Sequence, residues 1–293
     1  MHIILGATCH VGSATATTLL EAGQDVTVVT RDRSKSKAWI ERGAKVAVAD
    51  IRNPAELRAV LRSGKRALLL NPPAAPHTDT DAVERATVQN ILEALGGSGL
   101  EKVVAQSTYG AQPGEQLGDL NTLFELETGL QAQPVPFAII REAYYFSNWD
   151  ALLQLALKSG KLPTMLPADL KIPMVAPDDL GRVAAQLLMQ PVNATGTIHV
   201  EGPQTCSPRD VASAFSQALD RTVEVAVTPR EEWEESFKKL GFSDAAAYSY
   251  TRMTAITADA KYEMPDSPVR GAISLPGYVN ALAKRNLDDQ KPA

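Results

Sequence analysis

The residues best placed to do chemistry begin with Gly6-Ala-Thr8-Cys9-His10-Val11-Gly12, a turn between the apolar run His2–Leu5 and a helical stretch from Val11 to Ala22. Such a turn lets backbone N–H groups and a helix N-terminus face a dinucleotide pyrophosphate. Cys9 stands where turns of this kind usually hold a middle glycine, which lets backbone approach the phosphates closely. Its side chain either crowds the pyrophosphate or is turned aside by a small backbone shift. A thiol at a helix N-terminus also invites redox control of the turn. The plainer reading is a tolerated small side chain.

Arg31 directly follows a β-branched run, Asp25–Thr30, that reads as the second strand. An acid there pairs with ribose hydroxyls in NAD-binding proteins, whereas a cation suits a 2′-phosphate. Lys35 and Arg33 share that loop, and Asp32 falls one place late for the NAD role. The expected cofactor is therefore NADP(H). Asp50-Ile51 closes the third strand, where the adenine would lie, and Asn71-Pro72-Pro73 closes the fourth, over the ribose and diphosphate. Proline pairs also break strands for structural reasons alone.

Ser107-Thr108-Tyr109 ends the fifth strand and points at the expected nicotinamide position. A tyrosine hydroxyl there could protonate a carbonyl or quinone oxygen, but unassisted its pKa stays near ~10. The lysine that would lower it is missing. Four places after Tyr109, Tyr144 and Tyr145 stand Pro113, Asn148 and Trp149, so the sequence holds no Tyr-x-x-x-Lys. Phe146 and Trp149 are expected to share a helix face with Tyr145, with Trp149 in the core and Tyr144 as a pocket residue. The histidines His2, His10, His77 and His199 are scattered without metal-ligand spacing, and no Gly-x-Ser-x-Gly elbow occurs.

These residues need elements to position them. The chain has 293 residues, 44% hydrophobic, with a net charge of −5. That balance offers no basic surplus for nucleic-acid phosphates. Its two cysteines form no disulfide framework and fit a reducing compartment. Strand character from residue 2 leaves no room for a signal peptide, and no apolar run nears the ~18 residues of a membrane span. A cytoplasmic protein is expected, with a homodimer as one possible state.

Through Ile140 strands and helices alternate: strands at 2–5, 25–30, 45–49, 67–70, 102–105 and 137–140, with helices between. This predicts an α/β fold, a Rossmann-type doubly wound parallel sheet, over residues 1–141. Residues 142–293 read as a smaller, mostly helical C-terminal lobe on the substrate side that also adds late strands and helices to the core. Arg141–Trp149 reads as a helix start, Ser207-Pro-Arg-Asp210 as a capping box, and the polar stretch after Leu282 as a frayed tail.

Taken together, Gly6-Ala-Thr-x-x-Val-Gly12, Arg31, Asp50, Pro136-Phe-Ala-Ile-Ile-Arg-Glu-Ala-Tyr-Tyr145, Asp178–Ala185 and Glu201–Ala212 resemble the NmrA-like family of atypical short-chain dehydrogenase/reductases. Ser107-Thr-Tyr109 and Arg141-Glu-Ala-Tyr-Tyr145 are most similar to its NADPH-dependent quinone and triphenylmethane-dye reductase branch. The resemblance implies that Gly6, Thr8, His10, Val11 and Gly12 line the pyrophosphate and that Arg31 and Lys35 bind the 2′-phosphate. Asp50 and Ile51 would flank the adenine, and Asn71, Pro72 and Pro73 would cover the ribose. Ser107, Tyr109 and the loop Glu142–Tyr144 would surround nicotinamide and substrate. It further implies an NADPH-dependent oxidoreductase acting on a small hydrophobic acceptor. A non-catalytic NADP-binding redox sensor acting through a protein partner is the alternative. Two departures stand out: Cys9 in the turn, and Thr122–Glu127 where some members carry lysine or histidine.

Overall fold

The computed structural model describes residues 1–289, the side chains of Lys35 and of residues 287–289 excepted. β1 (His2–Ile4) feeds α1 (His10–Glu21), and the alternation continues through β2 (Val26–Thr30), α2 (Ser36–Glu41), β3 (Lys45–Val48), α3 (Pro54–Leu61) and β4 (Arg66–Leu69). Then come α4 (Thr80–Leu95), β5 (Lys102–Thr108), α5 (Asp119–Gln131) and β6 (Phe137–Glu142). The second half holds β7 (Tyr144–Tyr145), α6 (Leu153–Ser159), β8 (Lys161–Thr164), β9 (Ile172–Val175), α7 (Pro177–Met189) and β10 (Gly196–Glu201). It closes with β11 (Thr205–Cys206), α8 (Pro208–Leu219), β12 (Glu224–Val227), α9 (Trp233–Lys239), α10 (Asp244–Ala258), β13 (Val269–Arg270) and α11 (Leu275–Asp289).

Eight strands form one parallel sheet in the order β13-β10-β6-β5-β4-β1-β2-β3. The chain reverses its winding between β1 and β4, and ligands of such sheets bind outside the carboxyl ends of the strands at that point. Side chains alternate between the two faces, as the pleat demands. Ile4, Val28, Leu68 and Val104 pack against α1 and α7. Ile3, Val29, Leu69 and Val103 pack against α3, α4 and α5. Both faces are thus covered, which explains why these strands read as nearly continuous apolar runs.

Gly181 lets α7 lie directly on α1, since a Cβ there would come within 2.3 Å of the Ala14 Cβ. Lys102, fully buried, donates from Nζ to the Leu187 and Pro191 carbonyls at 2.8 and 3.2 Å. Arg66 donates to the Leu188 and Gln190 carbonyls. Two cations from neighbouring strands thereby satisfy the carbonyl end of α7.

A third core, built around Phe146, Trp149, Met174, Phe215 and Tyr278, belongs to the lobe above the strand ends. It is mostly helical, with two small sheets, β11-β9-β7 and β12-β8. Ser207 and Asp210 form the expected capping box of α8. Three expectations need correction. Arg141–Trp149 does not open a helix: β6 runs on to Glu142, and Tyr144–Tyr145 pair with Met174–Val175 as a strand. Only then does a 3₁₀ turn, Phe146–Leu152, begin, so Tyr145 shares no helix face with Phe146 and Trp149. The segment after Leu282 is helical as far as Asp289, because α11 continues there and is docked by Leu275, Tyr278 and Val279, with Ala283 buried beside them; residues 290–293 lie outside the described residues. No helix among the described residues is long and apolar enough to cross a membrane.

Candidate functional site

The carboxyl ends of the central strands and the lobe above them enclose a cavity of about 1720 Å³. Its floor is the first turn (Thr8, Cys9, His10, Val11), the end of β4 (Asn71, Pro73) and the ends of β5 and β6 (Ser107, Thr108, Tyr109, Glu142). Its far wall is aromatic: Tyr144, Tyr145, Trp149, Phe237, Tyr250, Tyr262 and Tyr278. Gly6 and Gly12 shape the turn beneath it. Gly6 sits at φ +67°, the left-handed region, and a Cβ on Gly12 would lie 2.2 Å from the Gly6 carbonyl oxygen.

Cys9 occupies the N-cap of α1 in extended backbone, φ −98° and ψ 164°. That backbone suits any residue, so glycine is not required there for conformation. No side chain caps α1 and its first turn carries no acid, whereas Asn53, Asp79, Ser207 and Ser243 cap α3, α4, α8 and α10. The first-turn N–H groups of α1 thus meet the cavity without a capping side chain, as an anion-binding turn requires. Asn71 adds a second polar feature: Nδ2 donates to the Glu84 carbonyl at 3.3 Å, while the buried Oδ1 finds no partner. An accepting oxygen left over at the end of β4 fits a ribose hydroxyl. These two features match a dinucleotide.

Arg31, Asp50, Ile51 and Pro72 fall outside the cavity wall. Arg31 is exposed just beyond β2. Asp50 closes β3 with its carboxylate gripped by Arg52, the shortest contact being Nη2 to Oδ2 at 2.6 Å. That hydrogen bond, with a further contribution from Arg31, pulls Asp50 down to about 2. Ile51 packs against the core behind the sheet. The Lys35 side chain lies outside the described residues. Arg52 is a cation the sequence reading overlooked, although it stands only two places after Asp50. Arg285 on α11 is another: it lines the cavity, and while partial burial raises the Asp150 carboxyl, Tyr278, His10 and Arg285 draw it back down.

The hydroxyls at the end of β5 turn out to be committed. Ser107 donates to Glu127, which Arg141 clamps from Nε at 3.0 Å and Nη2 at 2.7 Å. Thr108 donates to the Tyr109 carbonyl at 3.2 Å. The Tyr109 hydroxyl donates to Glu201 at 3.2 Å, and Glu201 is paired with Arg270. Burial and the Glu201 charge push Tyr109 well above the ordinary tyrosine value, opposite to the shift a lysine would supply. Tyr144 faces Trp149 across 6.1 Å, and burial raises its hydroxyl too.

Sequence reasoning placed Glu142 in the loop around nicotinamide and substrate without giving it a role, and did not single out Asp119. Glu142 is 2% exposed, accepts from Gln106 Nε2 at 3.0 Å and from the Tyr145 hydroxyl, and is held up at about 8 by burial. Asp119, on the wall at the start of α5, hydrogen-bonds Glu84, and burial raises both carboxyls.

Comparison with known proteins places this geometry in context. A model of the NmrA-like family matches residues 2–281. An NAD(P)H azoreductase of Xenophilus azovorans is 23% identical over 256 residues, covering 87% of each chain. Among solved structures, the NADPH-dependent quinone oxidoreductase QOR2 of Escherichia coli, complexed with NADPH, superposes with a TM-score of 0.79 at 19% identity, covering 96% of this chain and 99% of that one. The triphenylmethane reductase of Citrobacter sp., complexed with NADP(H), gives 0.77 at 17%, with 96% and 99% covered.

Proposed function

This chain belongs to the NmrA-like family, and we propose that it is an NADPH-dependent oxidoreductase passing hydride to a small, apolar, electrophilic acceptor. The observation that carries this reading is the single cavity that joins the uncapped start of α1 to an aromatic wall, with the ends of β5 and β6 between them. The named activities of the azoreductase, the quinone oxidoreductase and the triphenylmethane reductase support it.

In this proposal the first-turn N–H groups of α1 hold the pyrophosphate, with Thr8, Cys9, His10 and Val11 around it and Arg285 adding positive charge. Arg31 and Arg52, both near Asp50 beyond β2 and β3, take the 2′-phosphate. Arg52 has to leave Asp50 only in part, since its guanidinium carries five donors. Asn71 accepts from the ribose, and Pro73 closes over it. NADPH, when bound, supplies the hydride; the chain supplies orientation and a dry pocket. Tyr144, Trp149, Tyr250 and Tyr278 stack the acceptor and exclude water. Quinones and cationic dyes are themselves strong electrophiles, which is why the missing Tyr-x-x-x-Lys is tolerable.

Titration with NADPH and NADH, followed by nicotinamide fluorescence, tests the reading. NADPH should bind at least tenfold tighter than NADH, and Arg31→Ala should remove roughly that preference, one to two charge-assisted hydrogen bonds' worth. Equal binding of the two, or an unaltered preference in Arg31→Ala, would remove the 2′-phosphate assignment.

A further inference from the structure

We propose that Tyr145 is the proton donor to acceptors that need a proton as well as a hydride, and that Glu142 is the positioning residue that restores its hydroxyl. The inference rests on the reductase reading and narrows it, because it predicts which acceptors the pocket favours.

The two residues arrive by different routes. Glu142 ends β6, and Tyr145 lies in β7, where pairing with Val175 of β9 fixes its direction. Both line the cavity. Gln106 on the adjacent strand pairs with Ile140, so it and Glu142 are diagonal neighbours on one face of the sheet. Gln106 donates to one carboxyl oxygen and Tyr145 meets the other. Among the described residues no cation is hydrogen-bonded to this carboxyl; it meets a neutral amide and a neutral hydroxyl. Burial without a counter-charge favours the protonated acid, and Glu142 accordingly sits at about 8. In the structure the Tyr145 hydroxyl donates to Glu142; protonation of Glu142 would reverse that bond, Glu142 donating to the Tyr145 oxygen and leaving the Tyr145 hydrogen for an acceptor in the cavity. Burial and the neighbouring glutamate hold Tyr145 well above the ordinary tyrosine value, as they do Tyr109; the two differ in that the Tyr109 hydroxyl is spent on an ion-paired carboxylate, whereas Tyr145 has an acid behind it that can restore its proton.

Acceptors differ in what they need. A quinone that takes up hydride gains two electrons and one hydrogen and is left with an anionic oxygen, which is costly in a water-excluded, aromatic pocket. The O–H bond of Tyr145 breaks as a new O–H bond forms on that oxygen, giving the hydroquinone. The Glu142 O–H then breaks to restore the Tyr145 hydroxyl, and the carboxylate left behind recovers its proton from water. An azo bond has the same demand, since hydride on one nitrogen leaves an anion on the other. A triphenylmethane cation becomes neutral on taking hydride and needs no proton.

The test is the ratio of quinone to cationic-dye turnover at fixed NADPH, measured for the parent, Tyr145→Phe and Glu142→Gln. Loss of a positioned donor should lower that ratio about 10²-fold in Tyr145→Phe and by a similar order in Glu142→Gln. A merely structural role would depress both acceptors together and leave the ratio unmoved, and that result overturns the proposal. Either variant suffices if the other fails to fold, as judged by retained NADPH binding. A parent that binds NADPH but reduces neither acceptor would instead overturn the reductase reading itself.

Discussion

Replacing Glu142 by glutamine should alter stability in a way that depends on pH and on little else. The carboxyl is 2% exposed, and its folded value is raised to about 8, chiefly by burial and against the opposing hydrogen bonds from Tyr145 and Gln106. In the unfolded chain a glutamate ionises near ~4.3. Between those values the folded protein binds one proton more than the unfolded chain, so stability is full below about 4.3, falls as pH rises, and is level above about 8. A span of between three and four pK units corresponds to an upper bound on the order of 5 kcal/mol. Glutamine preserves the shape and the contacts: its oxygen accepts from Gln106 and its N–H₂ donates to the Tyr145 oxygen. Glu84 also titrates upward of its ordinary value but is common to both proteins, so the difference between them isolates Glu142. Thermal melts at about pH 4 should nearly coincide. At about pH 9 the variant should melt higher by roughly 5–10 °C, taking ~2 °C per kcal/mol for a chain of this size. A constant offset at every pH, or a variant that loses stability on the alkaline side, would show that the carboxyl is not buried as a neutral acid.

Other changes have equally definite outcomes. Gly12→Ala drives a Cβ to 2.2 Å from the Gly6 carbonyl oxygen; calorimetry should show roughly 1–3 kcal/mol of lost stability, and titration should show NADPH affinity falling at least tenfold. Arg52→Ala should weaken NADPH binding several-fold with little effect on NADH, because it removes a 2′-phosphate partner and leaves the adenine side intact. Lys102→Ala leaves the buried Leu187 carbonyl, and the more open Pro191 carbonyl, without this donor, so denaturant unfolding should show a loss of about 2–5 kcal/mol. Arg285→Ala should raise the dissociation constants for NADPH and NADH alike, distinguishing a pyrophosphate contact from a 2′-phosphate contact.

Much of this was legible along the chain because the first half consists of βα units, whose strands and helices announce themselves by apolar runs and glycine or proline stops. The turn Gly6–Gly12, Asn71 and the ends of β5 and β6 could be placed from those signals alone. Two-residue strands such as β7, β11 and β13 carry no period to detect, so only the pairing of Tyr145 with Val175 separates it from the helical spacing of its neighbours. α11 did carry a signal, with Leu275, Tyr278, Val279, Leu282 and Ala283 at helical spacing, but the polar residues that follow obscured it. The setting of Glu142 was out of reach, since its neutrality depends on Gln106 from the adjacent strand and on burial beneath the lobe. The committed hydroxyls of Ser107 and Tyr109 were hidden for the same reason, their partners Glu127 and Glu201 lying 20 and 92 residues away.

The central claim is hydride transfer from NADPH to an apolar acceptor held against the ends of β5 and β6. The most direct test is the NADPH-dependent turnover of a panel of quinones, azo dyes and cationic dyes, followed by loss of nicotinamide absorbance. Turnover that saturates with acceptor, prefers NADPH and falls in Gly12→Ala is the predicted result. Tight NADPH binding with no turnover of any acceptor would contradict the account and leave a cofactor-binding sensor in its place.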